Sequence, residues 1–169
     1  VHHHGYLWAG PKQRFDQEAL RRPPHPEPPP AGSRPEAIQR YREVAAAFPT
    51  ADLPPLETAY WLLKPRSLVQ GTWEEPKEAA TWLGERLAEY APHFSADRDR
   101  DSTRLCRLVD GATGQLRAGA DVSYGFYLEH PSYLSLAVVT CSPNRANAGL
   151  SCPTARDFGA ARTTSSSRN

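Results

Sequence analysis

The side chains able to ligate a metal or carry a proton fall into three groups along the chain. His2, His3 and His4 stand in a row, Cys141 and Cys152 bracket a ten-residue stretch, and Asp121, Tyr124, Tyr127, Glu129 and His130 crowd one short segment. Neutral imidazoles and thiolates suit Zn²⁺ and related ions. Neighbouring histidines in a flexible arm, however, cannot impose tetrahedral geometry, and no cysteine or carboxylate follows them closely. The cysteine pair would need two further ligands, for which Cys106 and His130 are the candidates, and the paired C-x-x-C spacing is missing. The expectation is therefore a solvated histidine run, ordinary thiols, no metal and no cofactor. As a nucleophile, Cys141 would need a base that the sequence does not place.

A carboxylate beside an imidazole can tune it for proton transfer near neutral pH. That makes Tyr124, Glu129 and His130, with Cys141, the candidate catalytic residues. Alternation along a strand sends Tyr127 and Glu129 to the face opposite Tyr124, and a Glu-His pair at a hairpin turn also suits a solvated tip. Asp97-Arg98-Asp99-Arg100-Asp101 opens like an EF-hand loop, but Ser102 stands where glycine is required and Leu108 where a bidentate glutamate is required. The glycine-rich phosphate loops and the G-x-S-x-G nucleophile elbow are absent. The aromatic residues at 60, 61, 124, 126, 127 and 133 could stack on bases. Only Lys64, Arg66 and His130 lie near them, which favours core packing. With 20 basic and 19 acidic residues the formal charge is +1, not the basic excess of a nucleic-acid surface.

These groups must be held by the elements around them. Six prolines between Pro23 and Pro30 exclude helix and sheet and favour polyproline II. Residues 1–34 therefore read as a mostly disordered proline-rich arm. Within it Tyr6, Leu7, Trp8 and Phe15 are more apolar than a linker needs, so Tyr6 and Trp8 are expected to dock, either on the protein's own core or on a partner. Residues 35–152 read as a single α+β domain, and the small polar residues of 153–169 as a disordered tail.

Inside the domain, Pro35 can open a helix whose apolar stripe is Ile38, Tyr41, Ala45 and Phe48. A second helix follows Pro76, with Ala79, Trp82, Leu83, Leu87 and Tyr90 on one face. A third, capped by Asp101 or Ser102, buries Leu105, Leu108, Val109, Ala112 and Leu116. Period-two alternation over 121–129, a His130-Pro131-Ser132 turn and the apolar run 133–141 predict a hairpin. A similar hairpin is expected at 58–63 and 67–73. A shift of 66 positions lays Leu62 on Leu128, Pro65 on Pro131 and Leu68 on Leu134, which suggests a helix–hairpin repeat. The expected fold is an antiparallel sheet of about four strands, from two hairpins, with helices on one face.

Arginine outnumbers lysine seventeen to three and Ile38 is the sole isoleucine, the usage of a high-GC bacterial genome. No apolar run reaches membrane-spanning length, no secretory leader is legible, and the odd cysteine count suits reduced thiols in a cytoplasm. The functional expectation is a non-enzymatic protein–protein interaction module of accessory, regulatory or immunity type with a protein partner. The alternative is a small tailoring enzyme or ligand-binding protein with a pocket between sheet and helices.

Overall fold

The computed structural model describes residues 1–155. Its elements are β1 (His2–Pro11), α1 (Lys12–Phe15), α2 (Pro35–Thr50), β2 (Gly71–Trp73), α3 (Pro76–Tyr90), α4 (Asp97–Arg100), α5 (Ser102–Arg117), β3 (Val122–Tyr127) and β4 (Ser132–Cys141). The strands form one antiparallel sheet in the order β2-β1-β4-β3. An α+β fold with a four-stranded antiparallel sheet is thus present, but its strands are not the four expected.

The largest correction concerns the arm. β1 is an inner strand, paired along its whole length with β4 and at His3, His4 and Gly5 with β2. Two neighbouring strands take up its amides and carbonyls, so residues 2–11 are built into the centre of the sheet. The proline-rich stretch that follows is irregular, and the chain just ahead of it is tied back at Arg21. Arg21 Nε donates to the Pro54 carbonyl at 2.8 Å, and the Leu56 amide to the Arg21 carbonyl at 3.0 Å.

The earlier hairpin is the second correction. Thr58–Leu63 and Arg66–Leu68 are 3-10 turns, and only Gly71–Trp73 is strand. Local aromatic content resembles a strand there, but the long apolar β4 pairs with β1 instead, leaving this segment to cap a sheet face. With no first hairpin, the helix–hairpin repeat is not a feature of the fold. The tail expected to be disordered lies outside the described residues, apart from 153–155.

The three long helices and the second hairpin follow their sequence patterns closely. Asp101 caps α5 by accepting the Arg104 amide at 2.7 Å, satisfying one of the amides a helix start leaves free. α3 and α5 pack on one face of the sheet, where Leu83, Leu87, Leu116, Val122, Leu134, Leu136 and Val138 are almost wholly buried. Gly5 makes this packing possible: a Cβ there would lie 2.9 Å from the rings of both Trp73 and Trp82. The opposite face carries Tyr6, Ala137, Val139 and Cys141, covered by Trp61 and Leu62 of the 3-10 turn and by Leu150 and Cys152. No helix among the described residues is long and apolar enough to cross a membrane.

Candidate metal centre

Side chains alternate across a strand, so His2, His4, Tyr6 and Trp8 leave β1 on one face while His3 leaves on the other. In the β1–β4 register His2 stands opposite Cys141, which puts that thiol on the same face as His2 and His4. The chain after β4 then folds back and brings Cys152 over the same end of the sheet. His2, His4, Cys141 and Cys152 present one ligand atom each, and all four lie within 4.8 Å of one another.

The individual separations have the size a metal would require. His2 Nε2 is 3.1 Å from His4 Nε2 and 3.3 Å from Cys152 Sγ, and Cys152 Sγ is 3.5 Å from His4 Nε2. A tetrahedral zinc ion with Zn–N near 2.0–2.1 Å and Zn–S near 2.3 Å sets edges of about 3.3 Å for N···N and about 3.6 Å for N···S. The donor set also suits the ion, because two thiolates balance a divalent charge and the buried centre becomes neutral as a unit.

The surrounding groups orient the ligands. His4 Nδ1 lies 2.8 Å from Thr72 Oγ1, its register partner on β2. If that nitrogen holds the proton and donates it to Thr72, Nε2 turns a lone pair to the centre, the outer-sphere arrangement common to metal-binding histidines. Ser142 Oγ stands 3.0 Å from Cys141 Sγ and Thr154 Oγ1 3.2 Å from Cys152 Sγ, so each sulfur has a hydroxyl able to donate to it. The fully buried Tyr6 hydroxyl has no hydrogen-bond partner among the described residues. Burial, and then the nearby Cys141 and Cys152 sulfurs, hold its pKa high, so it remains a neutral hydroxyl. His3 is separate: on the other face, its Nδ1 meets Thr140 Oγ1 at 3.0 Å. Thr140 gives its own proton to the Ala120 carbonyl, so His3 is the donor.

Burial sets the protonation states. His4 is lowered to about 4 by desolvation, reinforced by His2 and His3, and His2 is lowered chiefly by desolvation. Both imidazoles therefore offer neutral nitrogens at pH 7. Burial pushes the Cys141 thiol up to about 11, against the opposing Ser142 hydroxyl. Cation binding must expel that proton, as thiolate ligation requires.

The sequence-derived candidates do not converge. Tyr124 faces the helices and donates its hydroxyl to the Leu108 carbonyl at 2.9 Å. Glu129 and His130 are exposed at the β3–β4 turn, with Glu129 Oε1 3.8 Å from His93 Nδ1. Cys141 lies at the opposite end of β4 from that turn, beside His2, His4 and Cys152. Tyr6 and Trp8 are 0% and 4% exposed; Tyr6 stacks on Trp61 at 4.6 Å and Trp8 packs near Phe15. Both side chains pack inside the chain. The expectation of a solvated histidine run is likewise overturned, since His3 and His4 are buried. The missed signal is the alternation His2/His4/Tyr6/Trp8, a strand face with two ligands at its end. No family model, curated protein or solved structure matches the chain.

Proposed function

We propose that this domain is a zinc-holding module in which His2, His4, Cys141 and Cys152 bind one ion, and that its role is to present a metal-stapled surface to a protein partner. The observation that carries the metal reading is the meeting of four nitrogen and sulfur ligand atoms within 4.8 Å, drawn from β1, β4 and the segment after β4. Four protein ligands fill a tetrahedral shell and leave no position for substrate, which is the pattern of structural rather than catalytic zinc. The centre then fastens β1 to β4 and to the covering segment around Cys152. A non-enzymatic interaction role fits this closed shell better than the alternative of a small enzyme. Between sheet and helices, where the alternative reading would place a ligand pocket, the described side chains form a packed core. Free thiols in the ligand set fit a reducing compartment such as the cytoplasm.

The test is metal analysis of the tag-free full chain, with Co²⁺ substitution. One zinc per chain and an intense tetrahedral, thiolate-bearing cobalt spectrum are expected, both lost in His4→Ala and Cys152→Ala. Trace metal with a weak octahedral cobalt spectrum would refute the metal reading. Saturable turnover of a small metabolite by a partner-free monomer would refute the interaction role.

A further inference from the structure

The two sulfur ligands differ in their access to solvent. Cys141 is fully buried at the end of β4. Cys152 is half-buried and lines a cavity of about 520 Å³ whose wall includes Leu62, Lys64, Arg66 and Ser151. A small solute entering that cavity meets Cys152 first. The Cys141 sulfur lies behind it, within 4.8 Å, and a disulfide needs about 2.05 Å. Cys141 is held by strand pairing on β4, whereas Cys152 sits in an irregular segment outside the sheet. Closing the remaining distance therefore falls to the more weakly tied residue. Cys106 is exposed on α5 and belongs to neither group.

We propose that Cys152 and Cys141 form a reversible oxidation site for hydroperoxides, with Cys152 oxidised first and Cys141 the resolving sulfur, so that their disulfide empties the metal centre. The Cys152 sulfur attacks the terminal oxygen of the hydroperoxide. An S–O bond forms, the O–O bond breaks, and the alkoxide or hydroxide leaves with a proton from water. The Cys141 sulfur then attacks the sulfenic sulfur. An S–S bond forms, the S–O bond breaks, and hydroxide departs to be protonated to water. The sulfurs give up two electrons and the peroxide takes them. Half of the ligand set is consumed, and two neutral imidazoles remain, which alone hold zinc weakly. The release of metal rests on the zinc reading above; formation of the disulfide does not.

The experiment treats the zinc-loaded full chain, in a Cys106→Ser background, with hydrogen peroxide. Zinc release is followed with a chromogenic chelator and the cysteines by non-reducing peptide mapping. One zinc released per Cys141–Cys152 link, reversed by dithiothreitol and added zinc, is the expected result. In Cys141→Ser the reaction should stop at a Cys152 sulfenic acid that dimedone traps. Oxidation without the link, or both cysteines unchanged under excess peroxide, would overturn the proposal. If the chain holds no zinc, the metal reading alone fails. The same mapping on metal-free protein then decides the oxidation site, which stands if the link forms and falls if it does not.

Discussion

Thr72→Val isolates the support given to one ligand without touching the ligand itself. Thr72 sits on β2 opposite His4, with its hydroxyl 2.8 Å from His4 Nδ1. Valine keeps the β-branched shape that suits a strand and deletes only the hydrogen-bonding group. Without an acceptor at Nδ1, the His4 proton is free to move to Nε2, where it blocks the lone pair, and the ring loses its rotational anchor. Losing such an outer-sphere partner typically costs ten- to a hundredfold in metal affinity, or about 1.4–2.8 kcal/mol. Thr72 is itself exposed, so water can take over part of the hydroxyl's role, and the lower end, about tenfold, is expected here. Competition with a chromophoric chelator measures the affinity, and nitrogen chemical shifts of His4 in the metal-free protein report the tautomer. The control is Thr81→Val on α3, whose hydroxyl donates to the Lys77 carbonyl at 2.8 Å, far in sequence from the ligands. An affinity for Thr72→Val within twofold of wild type, or an equal loss in the control, would refute the assignment of Thr72 as a positioning residue.

Two further outcomes test the fold around the site. Gly5→Ala should destabilise by about 1–3 kcal/mol through overpacking against Trp73 and Trp82, lowering the melting temperature by roughly 2–4 °C per kcal/mol. Gly114→Ala in α5, where a Cβ meets nothing within 4 Å, should gain up to about 1 kcal/mol; equal melting of the two variants would contradict the Gly5 packing. Lys64 donates to the Phe48 and Ala51 carbonyls, yet burial lowers it to about 8 despite Asp52 nearby. The unfolded chain then holds that proton more tightly than the folded one, so stability should rise between pH 8 and about 10, by at most about 1.4 kcal/mol per unit. Urea unfolding of wild type and Lys64→Met at pH 8 and 10 checks this, and identical pH slopes for the two proteins would count against it.

Much of the fold was legible in local sequence. α2, α3 and α5 each carry an apolar stripe at helical spacing and a start signal, Pro35, Pro76 and Asp101 respectively. β3 alternates with period two, and β4 is apolar because both of its faces are covered. Such signals are local: a helix closes its own hydrogen bonds, and a hairpin finds its partner across a short turn. Where the pairing was distant, local reading failed. Tyr60-Trp61-Leu62 has the composition of a strand, but its place beside β4 went to β1, more than 120 positions away in sequence. The alternation His2/His4/Tyr6/Trp8 marks a strand face but does not say which strand it joins.

The proposed metal centre divides in the same way. The residue types were visible, and so was the reason to doubt each half: three histidines in a row and two cysteines without C-x-x-C spacing. The tertiary structure supplied the missing geometry. Strand pleat selects His2 and His4 and rejects His3, antiparallel register sets Cys141 opposite His2, and the return of the chain after β4 brings in Cys152. Ligand chemistry is a property of side chains and can be read one residue at a time. Ligand convergence depends on long-range strand pairing, whose free energy is shared across the whole sheet and is written at no single position.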